Sequence, residues 1–155
     1  MKRPITGFGI DDVGDPVAIL SCGHPQHVRN IPPFINRPWV ESEAGRNSML
    51  GEVLNCVRCD QFELPENFVA YKKTPVFTEA TLPEGLKKNH TTKMGVWAKI
   101  IVTEGVLHYC VDALKVEINL SPGMPGIVIP EMSHHVAAQG QVQFYVEFYR
   151  KPGSE

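Results

Sequence analysis

The sequence lacks the features that would tie it to a membrane or a nucleic acid. No stretch approaches the roughly 20 apolar residues of a membrane-spanning helix. Lys plus Arg number 15 against 17 Asp plus Glu, so there is no excess of positive charge. The opening MKRPITGFGIDD breaks any apolar run with Pro, Gly and Asp, which argues against a secretory signal. We therefore expect a cytoplasmic protein that binds neither membranes nor nucleic acids.

Cysteine is also scarce, with four residues among 155. Because the cytoplasm is reducing, metal or thiol chemistry explains these cysteines better than disulfides do. Proline and glycine are plentiful by contrast, at 13 residues each, and both residue types mark turns. Many turns in a short chain favour short strands over long helices.

The first part of the chain combines strand, loop and helix signals. The turn-rich DDVGDP, residues 11–16, predicts a β-hairpin whose second strand ends near Cys22. After a proline-punctuated loop, Ser42 is a candidate helix N-cap, and EAGRNSMLGEVL, residues 43–54, is the best helix candidate of the chain. These signals predict a small α+β module in residues 1–64.

The pattern of apolar and polar residues changes near ELPENF, residues 63–68. Beyond it, apolar runs alternate with turn signals in KMGVWAKIIVTEG, VLHYCV, KVEINL, SPGMPGIVIPE, HHVAAQG and QVQFYVEFY. Strands at this spacing predict an all-β sandwich or barrel. We therefore expect a mainly β protein of two domains, residues 1–64 and 65–155.

Two groups of metal-ligand residues flank the predicted helix. The stretch SCGHPQH holds Cys22, His24 and His27, and a C-x-x-C motif follows at Cys56 and Cys59. A structural zinc ion needs four nitrogen or sulfur ligands in a tetrahedron, and C-x-x-C is a common source of two. We predict zinc bound by the three cysteines and one of the two histidines, between which the sequence does not decide. The zinc would be structural, because so small a module has few apolar residues for a core.

Two roles without a metal are also open for these cysteines. A thioredoxin-like redox pair places its C-x-x-C at the start of a helix inside a βαβ unit, whereas Cys56 follows the predicted helix. The cysteines could instead be buried free thiols, with the histidines on the surface. Metal binding accounts for both motifs at once and is our prediction.

Two motifs of the second half, H-x-T-K-x-G-x-W at residues 90–97 and IPEMSHHV at residues 129–136, are the most specific of the chain. With the strands around them they resemble the cupin-type domain of the tellurite-resistance protein B family and its stand-alone relatives. The first part of the chain resembles a small domain of unknown function with C-G-H-x-Q-H and C-x-x-C motifs. The resemblance implies a cupin-like double-stranded β-helix, or jelly roll, behind the zinc-binding module.

The resemblance also suggests site residues. Cupins hold a metal between strands with histidines and a glutamate. His90 and His134 fall on two of the histidine positions, and Gly105 falls on the glycine that closes the first motif. Thr92 replaces a further histidine, and no acid stands at the glutamate position near Trp97. Half of the usual ligand set is therefore missing.

A carboxylate from the last strand could complete the set. Glu147 with His90 and His134 would form a two-histidine, one-carboxylate triad for a second divalent metal, zinc or iron, if Glu147 faces the interior. Alternation along QVQFYVEFY instead points Phe144 and its apolar neighbours inward, which would leave the histidines as hydrogen-bonded pocket residues. Both alternatives stay open. Lys93 would either place a cation at the pocket mouth, suited to an anionic ligand, or be an exposed lysine before a turn.

Three further residues receive structural roles. We expect Trp97 to pack in the core. Cys110 has no neighbour in sequence that would lower the pKa of its thiol, so we expect a small apolar core residue. His135 should point opposite to His134 and lie in solvent or at an interface.

Methyl transfer in the tellurite-resistance family belongs to a separate nucleotide-type domain with a glycine-rich loop, which this sequence lacks. We therefore expect a metal-binding protein that is not a methyltransferase and binds a small, anionic molecule in a response to oxyanions such as tellurite. One alternative is a metal-dependent cupin enzyme of oxygenase or hydrolase type. Another is a protein-interaction adaptor that docks through the zinc module. A homodimer is a candidate assembly, since cupins commonly pair through edge strands.

Overall fold

Strands dominate residues 1–153, which are the residues that the computed structural model of the chain describes. The backbone divides into two units, Met1–Gln61 and a second unit that begins at Phe62. The first unit contains β1 (Lys2–Ile10), β2 (Pro16–Leu20), β3 (Pro25–His27), a 3₁₀ helix (Pro38–Glu41), α1 (Glu43–Ser48), β4 (Val53–Asn55) and α2 (Val57–Asp60). The second contains β5 (Val69–Lys73), β6 (Phe77–Thr78), α3 (Glu84–Lys87), β7 (Trp97–Val111), a 3₁₀ helix (Asp112–Leu114), β8 (Val116–Leu120), β9 (Gly126–Val128) and β10 (His135–Arg150). The prediction of a mainly β protein is confirmed.

The first unit is built on an antiparallel sheet in the order β3-β2-β1-β4. The turn between β1 and β2 forms because the Asp11 carboxylate accepts hydrogen bonds from the backbone N–H groups of Val13, at 3.0 Å, and Asp15, at 2.8 Å. Gly14 adopts a φ of +85° in this turn, a value that suits glycine. The predicted hairpin is confirmed.

Helix α1 is shorter than the sequence predicts. Ser42 caps its start as expected, because its side-chain oxygen accepts from the Gly45 N–H at 3.0 Å. The helix ends at Ser48, and Gly51, at a φ of +89°, donates its N–H to the Ile5 carbonyl at 2.8 Å. The prediction of a helix over residues 43–54 is wrong in its second half, since Val53–Asn55 pairs with β1 instead. Within residues 1–153 no helix has the length and apolar character to cross a bilayer.

The second unit is a six-stranded antiparallel sheet in the order β5-β10-β7-β8, in which β6 also pairs with β10 and β9 with β7. Its inward-facing side chains form one apolar core, which includes Ile100, Val102, Leu107, Tyr109, Val142 and Phe144. The jelly roll that the resemblance implies stays a prediction, because these pairings establish the sheet but not that topology.

A bulge at Gly105 divides β7 into two halves. The pairing shifts twice there. Ala138 and Val142 of β10 lie opposite Leu107 and Gly105 of β7, and the consecutive Gln143 and Phe144 lie opposite Glu104 and Val102, which leaves Thr103 as one extra residue in β7. Gly105 has a φ of +80°, and a Cβ atom there would lie 2.0 Å from the Gln141 carbonyl oxygen. Only glycine fits this position. Because the bulge adds one residue to β7, even-numbered residues of this strand face the core before the bulge, and odd-numbered residues face it afterwards.

Candidate metal centre and ligand cavity

Cys22 and His24 lie in the tight turn that joins β2 to β3. The Gly23 N–H donates to the Leu20 carbonyl at 2.8 Å, and the Leu20 N–H donates to the His24 carbonyl at 3.1 Å. Gly23 takes a φ of +96°, which allows so abrupt a reversal. The turn thereby fixes the thiol and the imidazole of this segment side by side.

Cys56 and Cys59 are brought to the same place by β4 and α2. Pairing of β4 with β1 leads the chain directly to Cys56, which is the N-cap of α2. Cys59 follows three residues later, so the two thiols share one face of the first helical turn. Because α1 ends at Ser48, Val53–Asn55 can form β4, and β4 leads the chain to the C-x-x-C motif.

We call Cys22, His24, Cys56 and Cys59 the Cys/His cluster; their donor atoms all lie within 4.8 Å of one another. The sulfurs of Cys22 and Cys56 are 3.8 Å apart. The His24 Nδ1 atom lies 3.3 Å from the sulfurs of Cys22 and Cys56 and 3.8 Å from that of Cys59. A tetrahedron with zinc bonds of about 2.3 Å to sulfur and about 2.05 Å to nitrogen has edges of about 3.6 to 3.8 Å. The cluster could therefore hold a metal ion of this size.

His27 is not part of this cluster. Strand pairing sets His27 opposite Val17, away from the turn that carries His24. Its side chain is 59% exposed, and its Nδ1 atom lies 3.3 Å from the Asp11 carboxylate. The prediction of His27 as a metal ligand is wrong, because the short β3 strand carries it to the surface. Of the two histidines that the sequence left open, the structure brings His24 to the cysteines.

The cluster is sealed from solvent, since each of its residues is at most 3% exposed. Burial raises the pKa of the Cys56 thiol, and the hydrogen bond with Cys22, together with burial, raises the pKa of Cys59 to about 12. The same hydrogen bond, given by Cys59, lowers the pKa of Cys22. Without a positive charge nearby, the three buried thiols therefore do not all lose their protons together. A divalent cation would reverse this balance, because thiolates are the ligand form and the cation compensates their charge.

Arg3, which no motif of the sequence marks, lies next to the cluster. Arg3 is only 5% exposed, on β1 where it pairs with Leu54 of β4, and its side chain hydrogen-bonds to the sulfur of Cys59. A divalent ion with three thiolates and one neutral imidazole carries a net charge of −1. The guanidinium of Arg3 would compensate this charge, and it donates to the Cys59 sulfur.

The second unit contains an apolar cavity of about 290 Å³. No charged side chain is among the described residues that line it: Thr74, Phe77, Pro83, Gly85, Leu86, His90, Thr92, Ala98, Ile100, Val128, His134, Val136, Phe144, Val146 and Phe148. Two imidazoles and two threonine hydroxyls are its polar side chains. Such a lining suits an uncharged molecule better than an anion.

His90 and His134 face each other at the edge of this cavity. Their backbones exchange two hydrogen bonds, of 2.8 and 2.9 Å, and their ring centroids are 5.5 Å apart. The His134 Nδ1 atom lies 3.3 Å from the Met132 carbonyl. Burial lowers the pKa of His134, so its imidazole is neutral near pH 7. A neutral ring that donates from Nδ1 to Met132 presents Nε2 as an acceptor.

The structure does not bring Glu147 or Lys93 to these histidines. Val142, Phe144 and Val146 of β10 pack in the core, so Glu147 points to the opposite face, where it accepts a hydrogen bond from the Tyr149 hydroxyl. The proposed triad of His90, His134 and Glu147 is therefore wrong, because strand alternation separates its carboxylate from the imidazoles. Lys93 is exposed in the turn before β7 and does not line the cavity.

The three residues with predicted structural roles lie as follows. Trp97 is fully buried, as expected. Cys110 is buried too, but its sulfur lies 3.8 Å from the Glu117 carboxylate, because the bulge at Gly105 turns this position to the outward face of the sheet. His135 is partly exposed, with its Nδ1 atom 3.8 Å from the Asp112 carboxylate.

Two family models match the chain. Residues 6–63 match the family described as a protein of unknown function, DUF3565. Residues 72–146 match the TehB-like domain. Each match includes motifs of one half of the chain: the Cys/His cluster lies in the first, and His90 and His134 lie in the second.

Similar proteins include two from Haemophilus influenzae, each named probable S-adenosyl-L-methionine-dependent methyltransferase TehB. That of strain Rd is 35% identical and that of strain 10810 is 33% identical over 46 residues, 30% of this chain. The chain spans only 16% of the length of these relatives. The crystal structure of TehB from Haemophilus influenzae matches 56% of this chain and 32% of its own, with 28% identity and a TM-score of 0.50. A structural-genomics protein from Escherichia coli K12 matches 58% of this chain and 97% of its own, with 24% identity and a TM-score of 0.54, and shares the fold.

These matches contradict the prediction that sets the chain apart from methyltransferases. The residues that carry the likeness occur in proteins that are named S-adenosylmethionine-dependent methyltransferases. The prediction is wrong because it relied on a missing glycine-rich loop, whereas the relationship is carried by the β-strands of the second unit. The chain is therefore similar to the DUF3565 family over residues 6–63 and to the TehB-like domain over residues 72–146.

Proposed function

We propose that this chain takes part in S-adenosylmethionine-dependent methyl transfer of the TehB type, and that the apolar cavity of its second unit binds a small, uncharged, methylated molecule of that chemistry. The observation that carries the proposal is the cavity of about 290 Å³ without a charged lining residue. Methylation of an oxyanion, together with the reduction by thiols that removes its oxygen atoms, replaces charge and hydrogen-bonding groups with apolar surface. A methylated molecule therefore matches this lining better than its unmethylated precursor does.

The two imidazoles give the cavity its specificity. The neutral His134 ring offers an acceptor at Nε2, and His90 lies edge-on to it. A single polar contact at one end of an otherwise apolar site orients a small molecule without requiring it to carry charge. A cupin-like jelly roll, with the cavity inside a curved sheet, is the topology we propose for this unit, in keeping with the core side chains that line the cavity.

For the first unit we propose a structural zinc ion in the Cys/His cluster. Support comes from the donor set of three sulfurs and one nitrogen, their tetrahedral spacing, the complete burial and the adjacent Arg3 guanidinium. Full coordination by protein atoms leaves no position for a substrate, so the ion would stabilise the unit and take no part in catalysis.

Binding is tested with two probes of related chemistry, dimethyl selenide as the methylated, uncharged molecule and selenite as the oxyanion. NMR spectra of the full chain are recorded during titration with each probe, and the methyl signals of Ile100 and Val146 and the ring signals of His134 are followed. We expect dimethyl selenide to shift these signals in a saturable manner and selenite to leave them unchanged, because no cation is among the described residues that line the cavity.

A matched pair of variants locates the site. Ala98 lines the cavity, whereas Ala137 is exposed on β10. Ala98→Leu fills the cavity and is expected to weaken binding about 10-fold or more, while Ala137→Leu adds the same atoms elsewhere and should leave binding unchanged. Binding of selenite in preference to dimethyl selenide, or equal binding by both variants, would contradict the cavity assignment.

The link to methyl transfer needs a separate measurement. TehB of Haemophilus influenzae is incubated with labelled S-adenosylmethionine, selenite and excess glutathione as the reductant, with and without this chain, and transferred label is counted. We expect the chain to change the rate or the yield, and the Ala98→Leu variant to have a smaller effect. Identical time courses with and without the chain would count against a role in methyl transfer.

A further inference from the structure

A second group of metal-ligand side chains lies on the outward face of the hairpin formed by β7 and β8. His108 and Cys110 of β7 and Glu117 of β8 offer a nitrogen, a sulfur and an oxygen atom, all within 4.8 Å of one another. We propose that these three residues, the hairpin triad, bind a divalent transition metal of the zinc or cobalt class with one coordination position open. This inference is independent of the proposed function.

The strand geometry explains why the three side chains converge. His108 and Cys110 are two residues apart on one strand and therefore share a face. Glu117 is paired directly opposite Cys110, and Asn119 directly opposite His108. Paired residues of antiparallel strands have their Cβ atoms about 5 Å apart. The bulge at Gly105 is what turns this face outward, away from the apolar core.

The distances match tetrahedral coordination. The Nε2 atom of His108 is 3.4 Å from the Glu117 Oε1 atom, and the Cys110 sulfur is 3.8 Å from the same oxygen. Metal bonds of about 2.0 Å to nitrogen and oxygen and about 2.3 Å to sulfur in a tetrahedron give edges of about 3.3 Å between nitrogen and oxygen and about 3.5 Å between sulfur and oxygen. A small rotation of the exposed Glu117 side chain shortens its distance to the Cys110 sulfur to this value. One ion can therefore reach all three donors without rearrangement of the strands.

Asn119 holds the imidazole in the orientation that ligation requires. The Nδ1 atom of His108 lies 2.9 Å from the Asn119 Oδ1 atom. A histidine that donates from Nδ1 to a carbonyl oxygen keeps Nε2 free as a metal ligand. Here Nε2 faces the carboxylate of Glu117. An ion pair between His108 and Glu117 alone would not account for the Cys110 sulfur beside them.

Access and ligand chemistry define the kind of ion. Cys110 is buried, whereas the His108 and Glu117 side chains are 27% and 73% exposed, so an ion can enter from one side. Three protein donors leave a fourth position to solvent or to another molecule. A set of thiolate, imidazole and carboxylate favours zinc-class transition metals over magnesium or calcium, which prefer oxygen atoms alone. The carboxylate of Asp112, near His135, adds negative charge close by.

The test uses the full chain loaded with one equivalent of zinc and then titrated with Co²⁺. We expect one further equivalent to bind and to produce a sulfur-to-cobalt charge-transfer absorption, because Cys110 would be a ligand. Cys110→Ala should abolish this absorption. Glu117→Gln, at an exposed position that does not threaten folding, should weaken cobalt binding about 10-fold or more.

Glu104→Gln is the matched control, because it removes a carboxylate from an exposed position of β7 that is not part of the hairpin triad. Cobalt binding by this variant should equal that of the wild type. The proposal is overturned by absence of the absorption, by its persistence in Cys110→Ala, by equal effects of the Gln variants, or by release of zinc in step with cobalt uptake. The last result would assign the signal to the Cys/His cluster.

Discussion

At the scale of single residues, Arg3 is a buried side chain of the first unit that contacts the Cys/His cluster without belonging to it. Its guanidinium is buried and hydrogen-bonds to the Cys59 sulfur, so it would stabilise a charged, metal-bound form of the Cys/His cluster over the thiol form. Polar partners of metal ligands typically affect metal affinity about 10- to 100-fold. The charge of the thiolates offsets the free-energy cost of burying this cation.

We therefore predict that Arg3→Met lowers zinc affinity by about 10- to 100-fold. The variant keeps most of the side-chain volume and removes the charge and the donors. Affinity is measured by competition with a chromophoric chelator. Lys2→Met removes the same charge from the exposed neighbouring position and should bind zinc as the wild type does. Equal affinity of the two variants would show that Arg3 has no part in the site.

His134 makes the stability of the second unit depend on pH. Burial lowers its pKa in the folded state below the ordinary value of 6.5. Below pH 6.5 the unfolded chain therefore binds more protons than the folded one, and the stabilisation present above pH 6.5 is lost as the pH falls. We predict that the free energy of unfolding decreases from about pH 7 toward about pH 5, and that His134→Gln flattens this dependence.

The measurement needs a signal from the second unit alone. Trp97 is buried there, so its fluorescence in a Trp39→Phe background follows urea unfolding of that unit at each pH. The difference between His134→Gln and the parent isolates the histidine from other groups that titrate in acid. Parallel pH profiles for the two proteins would refute the prediction.

At the scale of elements, the bulge of β7 and β10 decides which side chains meet. It requires a left-handed residue at Gly105 and again at Gly140, with φ values of +80° and +82°. A Cβ atom at Gly105 would lie 2.0 Å from the Gln141 oxygen, while one at Gly140 would meet nothing within 4 Å. Both glycines thus have a left-handed backbone conformation that disfavours other residues, but only Gly105 also lacks space for a Cβ atom.

We predict that Gly140→Ala destabilises the second unit by about 1–2 kcal/mol, because alanine disfavours the left-handed conformation. Gly105→Ala should cost about 1–3 kcal/mol more, because the backbone overlap must also be relieved. Chemical denaturation of both variants, monitored through Trp97, measures the difference. A loss of stability no larger at Gly105 than at Gly140 would mean that the pairing relaxes without strain.

How well the sequence predicted the elements depended on how local their causes are. The hairpin after β1 was predictable because Asp11 and Gly14 form their turn from residues within it. The extent of α1 was not, because Val53–Asn55 is extended through its pairing with β1, at the other end of the unit's sequence. Tertiary pairing overrides local helix preference in such short segments.

At the scale of the whole molecule, the parts of the candidate sites that could be predicted are again those whose causes are local in sequence. The C-x-x-C motif and the SCGH turn could be predicted from spacing, because each is local. The choice of His24 over His27 required the register of β3. Alternation along β10 already favoured an outward Glu147, and the packing of Val142, Phe144 and Val146 in the core decides between the two alternatives. The hairpin triad could not be foreseen, because the bulge at Gly105 reverses which residues of β7 face the core.

The two units should respond differently to removal of metal. All four residues of the Cys/His cluster belong to the first unit, and its folding is expected to depend on the ion, because metal binding supplies about 10–16 kcal/mol in comparable zinc modules. The second unit has its own apolar core. We predict that a strong chelator unfolds the first unit and leaves the second folded.

Single-tryptophan variants follow each unit separately, with Trp39 in the first and Trp97 in the second. After chelation, Trp39 emission should shift to longer wavelength and lose its cooperative unfolding transition, while Trp97 keeps its transition. Cys59→Ser should reproduce this result without chelator, and Val57→Ser, on the exposed side of the same helix, should not. An unchanged Trp39 transition after loss of zinc would mean that the first unit is held by its sheet and not by the ion. Because the cluster joins the β2–β3 turn to the start of α2, we expect that sheet to lose its cooperative transition together with the metal.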